Sequence, residues 1–153
     1  MKAFTSRRPA EATSSIPSPA KLAHIVMRPP RYDEMKRFNM QLLGAKETFG
    51  NEALAFLTYD DEHHRIALLN VPALAPQVPG TAGVHHIAFT YAGLDDLVSV
   101  YEHAREVGIE PVWCTNHGPT TSMYYRDPDG NQLELQLENF ATIELSTEFF
   151  FSP

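Results

Sequence analysis

Residues 115–140 read TNHGPTTSMYYRDPDGNQLELQLENF. Between Gln132 and Glu138 the residues alternate. Leu133, Leu135 and Leu137 are apolar, while Gln132, Glu134, Gln136 and Glu138 are polar. A period of two predicts a strand with one face on a core and the other turned toward something polar. DPDG ahead of it suits a type I turn, with Asp127 first, Pro128 second and Gly130 last, so TSMYYR is the partner strand. Neither strand nor turn requires His117 and Tyr124, and their presence beside a carboxylate strand asks for a chemical reason.

Outward from this hairpin, the second half of the chain supplies GVHHIAFTY as a strand. GLDDLVSVYEHAREVG follows as a helix, with Leu94, Leu97, Val98, Tyr101 and Ala104 on one face and Gly108 as its stop. EPVWCT is a further strand. The first half repeats the order. KLAHIVMR precedes RYDEMKRFNMQLLG, a helix with Met35, Phe38 and Leu42 on one face and Gly44 after it. ALAFLTYD and RIALLNV follow as strands around the polar turn DEHH. AHIV (23–26) lines up with HHIA (85–88), which marks an internal duplication.

The alternation sets Val84, His86, Ala88 and Thr90 on one strand face, and His24 with Leu22 and Val26 on another. His24, His86 and Glu134 are therefore expected mid-strand on three separate strands. Two imidazoles and one carboxylate leave open positions on a divalent ion, the facial set of non-haem iron(II) oxygenases. A lone strand histidine is more often structural; the matched placement in two repeats is what argues for ligation. His85 should point to the opposite face, so His86 is preferred as the counterpart of His24. Asp127, Asp129, Asn131 and Glu138 have calcium-loop spacing, but the required glycine falls at Gln132 and a strand replaces the exiting helix, which excludes that loop.

The totals bound the class. The 153 residues are 43% hydrophobic and 20% charged, as in a soluble single-domain protein. A net charge of −7 argues against nucleic acid or an anionic membrane as partner. No apolar run reaches membrane-spanning length and no secretion signal is seen. Cys114 is the single cysteine, so a reducing, cytoplasmic location is expected, with the thiol buried among apolar neighbours. Residues 1–20, with SRRP and SSIPSPA, read as a flexible N-terminal arm. Residues 21–140 form one domain of two modules, about 21–75 and 83–140. Residues 141–153 are an extension whose apolar EFFFSP packs on the domain, on a subunit partner or on further residues. His103 is expected at the surface. Phe38, Phe56, Trp113 and Tyr125 suit a pocket or a core equally well.

Together these residues resemble the vicinal oxygen chelate superfamily. The segment Thr115-x-His117, five residues, Met123-Tyr124, two residues, Asp127-Pro128-x-Gly130, three residues, Glu134 is similar to the signature of type I extradiol ring-cleavage dioxygenases. The resemblance implies an α+β fold of two paired βαβββ modules forming a curved mixed-sheet metal cup, the glyoxalase/bleomycin-resistance/dioxygenase fold. It also implies ring cleavage of a catechol by dioxygen at iron(II), with manganese(II) as the other ion these ligands accept. The implied ligands are His24, His86 and Glu134. By the same resemblance His117 is the acid–base residue and Tyr124 the hydrogen-bond partner of a substrate oxygen. DEHHRIAL looks like the family's paired-histidine segment, which puts His64, and with less support His63, near substrate and dioxygen; a solvated turn accounts for both as well. Many such enzymes carry a second pair of modules, so a single pair implies a homo-oligomer in which a neighbouring subunit completes the cavity.

Two alternatives stand beside this. A glyoxalase- or epimerase-like isomerase takes a fourth protein ligand from the first module, yet laying RIAL over QLEL puts Ala67 where Glu134 sits. A non-enzymatic small-molecule-binding module has no use for His24, His86, Glu134, His117 and Tyr124 together.

Overall fold

The structure, a computed structural model, describes residues 16–151. The arm expected over residues 1–20 therefore falls mostly outside the described residues. The elements run β1 (Ile25–Met27), α1 (Tyr32–Leu43), β2 (Lys46–Gly50), β3 (Leu54–Thr58), β4 (Ile66–Leu69), β5 (His86–Thr90), α2 (Leu94–Glu106), β6 (Trp113–Asn116), β7 (Thr120–Arg126), β8 (Gln132–Glu138) and α3 (Ile143–Phe149). The strands form two four-stranded mixed sheets with one plan, β1-β4-β3-β2 and β5-β8-β7-β6. In each, the first strand pairs in parallel with the last, and the remaining pairs are antiparallel. The duplicated βαβββ architecture is thus present.

The helices form where the apolar spacing placed them. On α1, Met35, Phe38 and Leu42 are buried, and Gly44 stops the helix in the left-handed conformation at φ +59°, which side chains with a Cβ resist. These residues share one core with Leu57 and Leu68 of the first sheet and Tyr125, Leu133 and Leu135 of the second. The modules also meet through Tyr59 and Phe89, edge to face at 5.8 Å, and through Arg31, whose guanidinium donates to Asp129 at 3.3 Å.

Leu135 is fully buried in the strand that carries Glu134. Leu135→Ala should cost about 2–5 kcal/mol of stability, because the lost methyl and methylene contacts leave a cavity between sheet and helix. Chemical denaturation of both proteins measures this, and an unchanged midpoint would contradict the core described.

Two expectations need correction. Leu94 and Val98 of α2 are exposed, while only Leu97 and Ala104 of that helix are buried. Cys114 is exposed rather than buried, because it lies on the edge strand β6 beside that open helix flank. Two elements were not anticipated. All five residues of β2 are exposed, so this edge strand has no apolar alternation to read. α3 is a short helix whose start is marked by Thr142, its hydroxyl accepting from the Leu145 amide at 3.3 Å.

Candidate active site

The strand register of the second sheet sets Ala88, Glu134, Tyr124 and Trp113 in one row, each residue the direct partner of the next. Residues paired in this way project from the same face, here the one opposite Leu133 and Leu135. Glu134 and Tyr124 are both nearly fully buried. His86 opens β5 two residues before Ala88 and shares its face. Its Nε2 lies 3.0 Å from Glu134 Oε2.

Tyr124 links this pair to the next histidine. Its hydroxyl lies 2.9 Å from His117 Nε2. Burial first, then the hydrogen bond and charge of Glu134, push the phenol up to about 12. A phenol so held keeps its proton; its oxygen shares one hydrogen bond with His117 Nε2 and stands beside the carboxylate of Glu134, its direct cross-strand partner. The result is a polar chain from His117 through Tyr124 to Glu134. Trp113 covers it: its indole stacks on Tyr124 at 5.0 Å and meets His117 edge-on at 5.6 Å. Of the four aromatics left open by sequence, Trp113 thus belongs to the site. Phe38 and Tyr125 belong to the core, and Phe56 stacks on His64 at 4.2 Å.

The DPDG turn fixes where this strand begins. Gly130 donates its amide to the Asp127 carbonyl at 3.0 Å. The Asp127 carboxylate accepts from the amides of Asp129 and Asn131 and from the Asn131 side chain. Burial pushes this carboxyl up, against those three hydrogen bonds. Asp127 is spent on the turn, in keeping with exclusion of a calcium loop.

The first module presents the matching row without the chemistry. Val26, Ala67, Phe56 and Phe49 pair in the order of Ala88, Glu134, Tyr124 and Trp113. Ala67 is the counterpart of Glu134, so this position offers no fourth carboxylate. Arg65 anchors the chain ahead of β1 by donating to the carbonyls of Leu22 and Ala23 at 2.7 and 3.0 Å. His24 follows, and its ring lies 4.3 Å from that of His64. His64 is buried, with burial and then the neighbouring His24 and His63 pushing its pKa down, so it is held neutral. His63 is exposed, and its carbonyl accepts from Thr48 Oγ1 at 2.7 Å. His63 and His64 share an Nδ1–Nδ1 contact.

Strand placement differs in detail from the sequence reading. Glu134 alone is mid-strand; His86 is the first residue of β5 and His24 immediately precedes β1. His85 lies outside the strand, so alternation does not bind it. It turns back to His86 with an Nδ1–Nδ1 separation of 2.8 Å, which requires one ring to donate and the other to accept. His103 is exposed, as anticipated.

Among the described residues no three His, Cys, Asp or Glu side chains converge as a metal-holding group. His86 and Glu134 do come together, whereas His24 rests on His64. The donor chemistry of the pair suits a divalent ion: ligands about 2.1 Å from one ion and at right angles to it stand roughly 3 Å apart, as these two atoms do.

The Glyoxalase/Bleomycin resistance protein/Dioxygenase superfamily model matches residues 21–135. The chain belongs to that superfamily. It is 45% identical over 134 residues to biphenyl-2,3-diol 1,2-dioxygenase 2 of Rhodococcus globerulus, covering 87% of this chain and 70% of the relative. Against biphenyl-2,3-diol 1,2-dioxygenase 3 of the same organism the identity is 47% over 131 residues, with 84% and 69% covered. A solved glyoxylase/bleomycin resistance protein/dioxygenase domain from Frankia sp. EAN1pec superposes with a TM-score of 0.67 over 80% of this chain and 100% of its own, at 18% identity. That last likeness shows the shared fold. Among the described residues no helix is long and apolar enough to cross a membrane.

Proposed function

We propose that this protein is an extradiol dioxygenase that opens a catecholic ring beside its diol, placing both atoms of dioxygen in the product, with aryl-substituted catechols as substrates. The observation carrying this reading is the linked row His86–Glu134–Tyr124–His117 in a chain of this superfamily nearly half identical to two biphenyl-2,3-diol dioxygenases. His86, Glu134 and His24 would hold iron(II), His24 turning from His64 to complete the set. When bound, the ion supplies Lewis acidity to the diol and an electron path between catechol and dioxygen.

The protein residues divide the remaining work. Glu134 brings a carboxylate to a buried position, with His86 Nε2 3.0 Å from it. Tyr124, kept protonated, is a donor that orients a substrate oxygen. His117 is exposed at the outer end of the chain and bonded to Tyr124, so it can exchange protons between substrate and solvent. Trp113 closes one side of the site with an aromatic face suited to an aryl substituent. The first module contributes the apolar row of Ala67 and Phe56, with His64 and His63 beside it.

The test is to purify the protein anaerobically, load iron(II), and add catechol or 2,3-dihydroxybiphenyl before admitting air. Oxygen uptake matched to a yellow ring-opened product is expected, faster with the biphenyl. No uptake with any member of a catechol panel would overturn the reading. Loading with manganese(II) in parallel decides the metal.

A further inference from the structure

His117 stands in the tight connection between β6 and β7, and a loop residue holds catalytic geometry only if the loop is held. Its own hairpin gives one backbone bond, from the His117 amide to the Thr120 carbonyl at 2.8 Å. Asn116 on β6 adds two side-chain bonds, its Oδ1 accepting from the Gly118 amide at 2.7 Å and its Nδ2 donating to Thr121 Oγ1 at 3.2 Å. Further grip comes from the chain beyond β8. The Asn139 amide donates to the Pro119 carbonyl at 2.8 Å, and Asn139 Nδ2 donates to the Gly118 carbonyl at 2.7 Å. Asn139 Oδ1 accepts from Thr121 Oγ1 at 2.8 Å. One side chain thus spans both sides of the turn.

α3 adds a second hold. Gly118 has φ +93°, and a Cβ built on it would fall 2.2 Å from Phe149 Cζ, so the phenyl ring lies directly against the glycine backbone. The helix is tied down by Ser146, buried and donating to Glu138 Oε2 at 3.0 Å, and by Phe140 at 6.0 Å from Phe149 between ring centroids. Phe149 can press on the turn because the residue after His117 has no side chain.

We infer that Asn139 and Phe149 are positioning residues that clamp the His117 turn, so that the segment after β8 belongs to the catalytic apparatus of this chain. His117 Nε2 must meet the Tyr124 hydroxyl at hydrogen-bond distance, and only the turn sets where its backbone lies. A displacement of about 1 Å in such a group costs on the order of 100-fold in rate. Contact of Phe149 with Gly118 and Phe140 also seats part of the apolar C-terminal segment on the domain, with the ring itself still 44% exposed.

The inference rests on the ring-cleavage reading for its kinetic arm alone. Asn139→Ala, Phe149→Ala and Phe149→Leu are made in the wild-type and His117→Ala backgrounds. In the wild-type background the two alanine variants should lower kcat by about 10–100-fold with KM for the catechol little changed, and Phe149→Leu should restore most of the loss. In the His117→Ala background neither should lower kcat further, since residues acting through one group are not additive. Equal losses in both backgrounds would make the clamp merely structural and overturn the inference. A second arm needs no turnover: amide hydrogen exchange at Gly118 and Thr121 should speed up in the alanine variants while exchange in β8 is unchanged. Unchanged protection at the turn would overturn the inference even in an active enzyme, whereas a faster turn in a protein that cleaves no catechol would leave the clamp standing and remove the proposed reaction.

Discussion

Glu134→Ala is expected to abolish tight metal binding and ring cleavage together. The carboxylate is buried in mid-strand, 3.0 Å from His86 Nε2, and the aligned position of the first module is Ala67, so no other carboxylate on that row can replace it. Loss of an outer partner of a metal ligand costs about 10–100-fold in affinity, so loss of a ligand itself should exceed about 100-fold. Glu134→Gln separates charge from shape. It keeps the side chain's shape beside Tyr124 while removing the negative charge, and should lose the metal almost as completely. Metal content after gel filtration measures both variants. The same substitutions relieve the phenol: Glu134 helps push the Tyr124 pKa up, so Tyr124 should ionise at lower pH without that charge. Iron retained in stoichiometric amount by Glu134→Ala would dismiss the ligand assignment.

Much of the fold, and of the row through Glu134, was legible in the sequence because repetition and signature reinforce one another. His24 and His86 are weak signals singly, and the strand register bears out their correspondence, since Val26 and Ala67 pair as Ala88 and Glu134 do. The alternation of Gln132 to Glu138 placed Glu134 opposite the leucine face without need of coordinates. The parts missed have physical causes. β2 pairs at an edge with every residue exposed, so hydrophobic period cannot mark it. The open flank of α2 is invisible to periodicity, which reports an apolar face but not what covers it. Trp113 was ambiguous because an aromatic on an edge strand serves core and pocket alike; only its stacking on Tyr124 decides between them. Thr142, with Glu144 in the first turn after it, was a readable cap for α3, but a seven-residue helix carries too little apolar period to support it.

His117→Ala should behave in the opposite way to Glu134→Ala: metal retained, turnover lost. His117 touches Tyr124 rather than Glu134 or His86, and it sits at the solvent end of the polar chain. Removal of a general acid–base group lowers kcat by about 100- to 10,000-fold. KM should change little, because the diol would still be held by the ion and Tyr124. Tyr124→Phe provides the comparison, since it leaves the imidazole but removes the hydroxyl that orients it. If the two act as one proton path, the double variant should be scarcely slower than the worse of the single variants. Because the His117 position is open to solvent, added imidazole should recover part of the rate in His117→Ala and none in Tyr124→Phe. A His117→Ala enzyme with full turnover, or one that loses its iron, would move the acid–base role to another residue, and His64, held neutral beside His24 on the first module, would be the next to test.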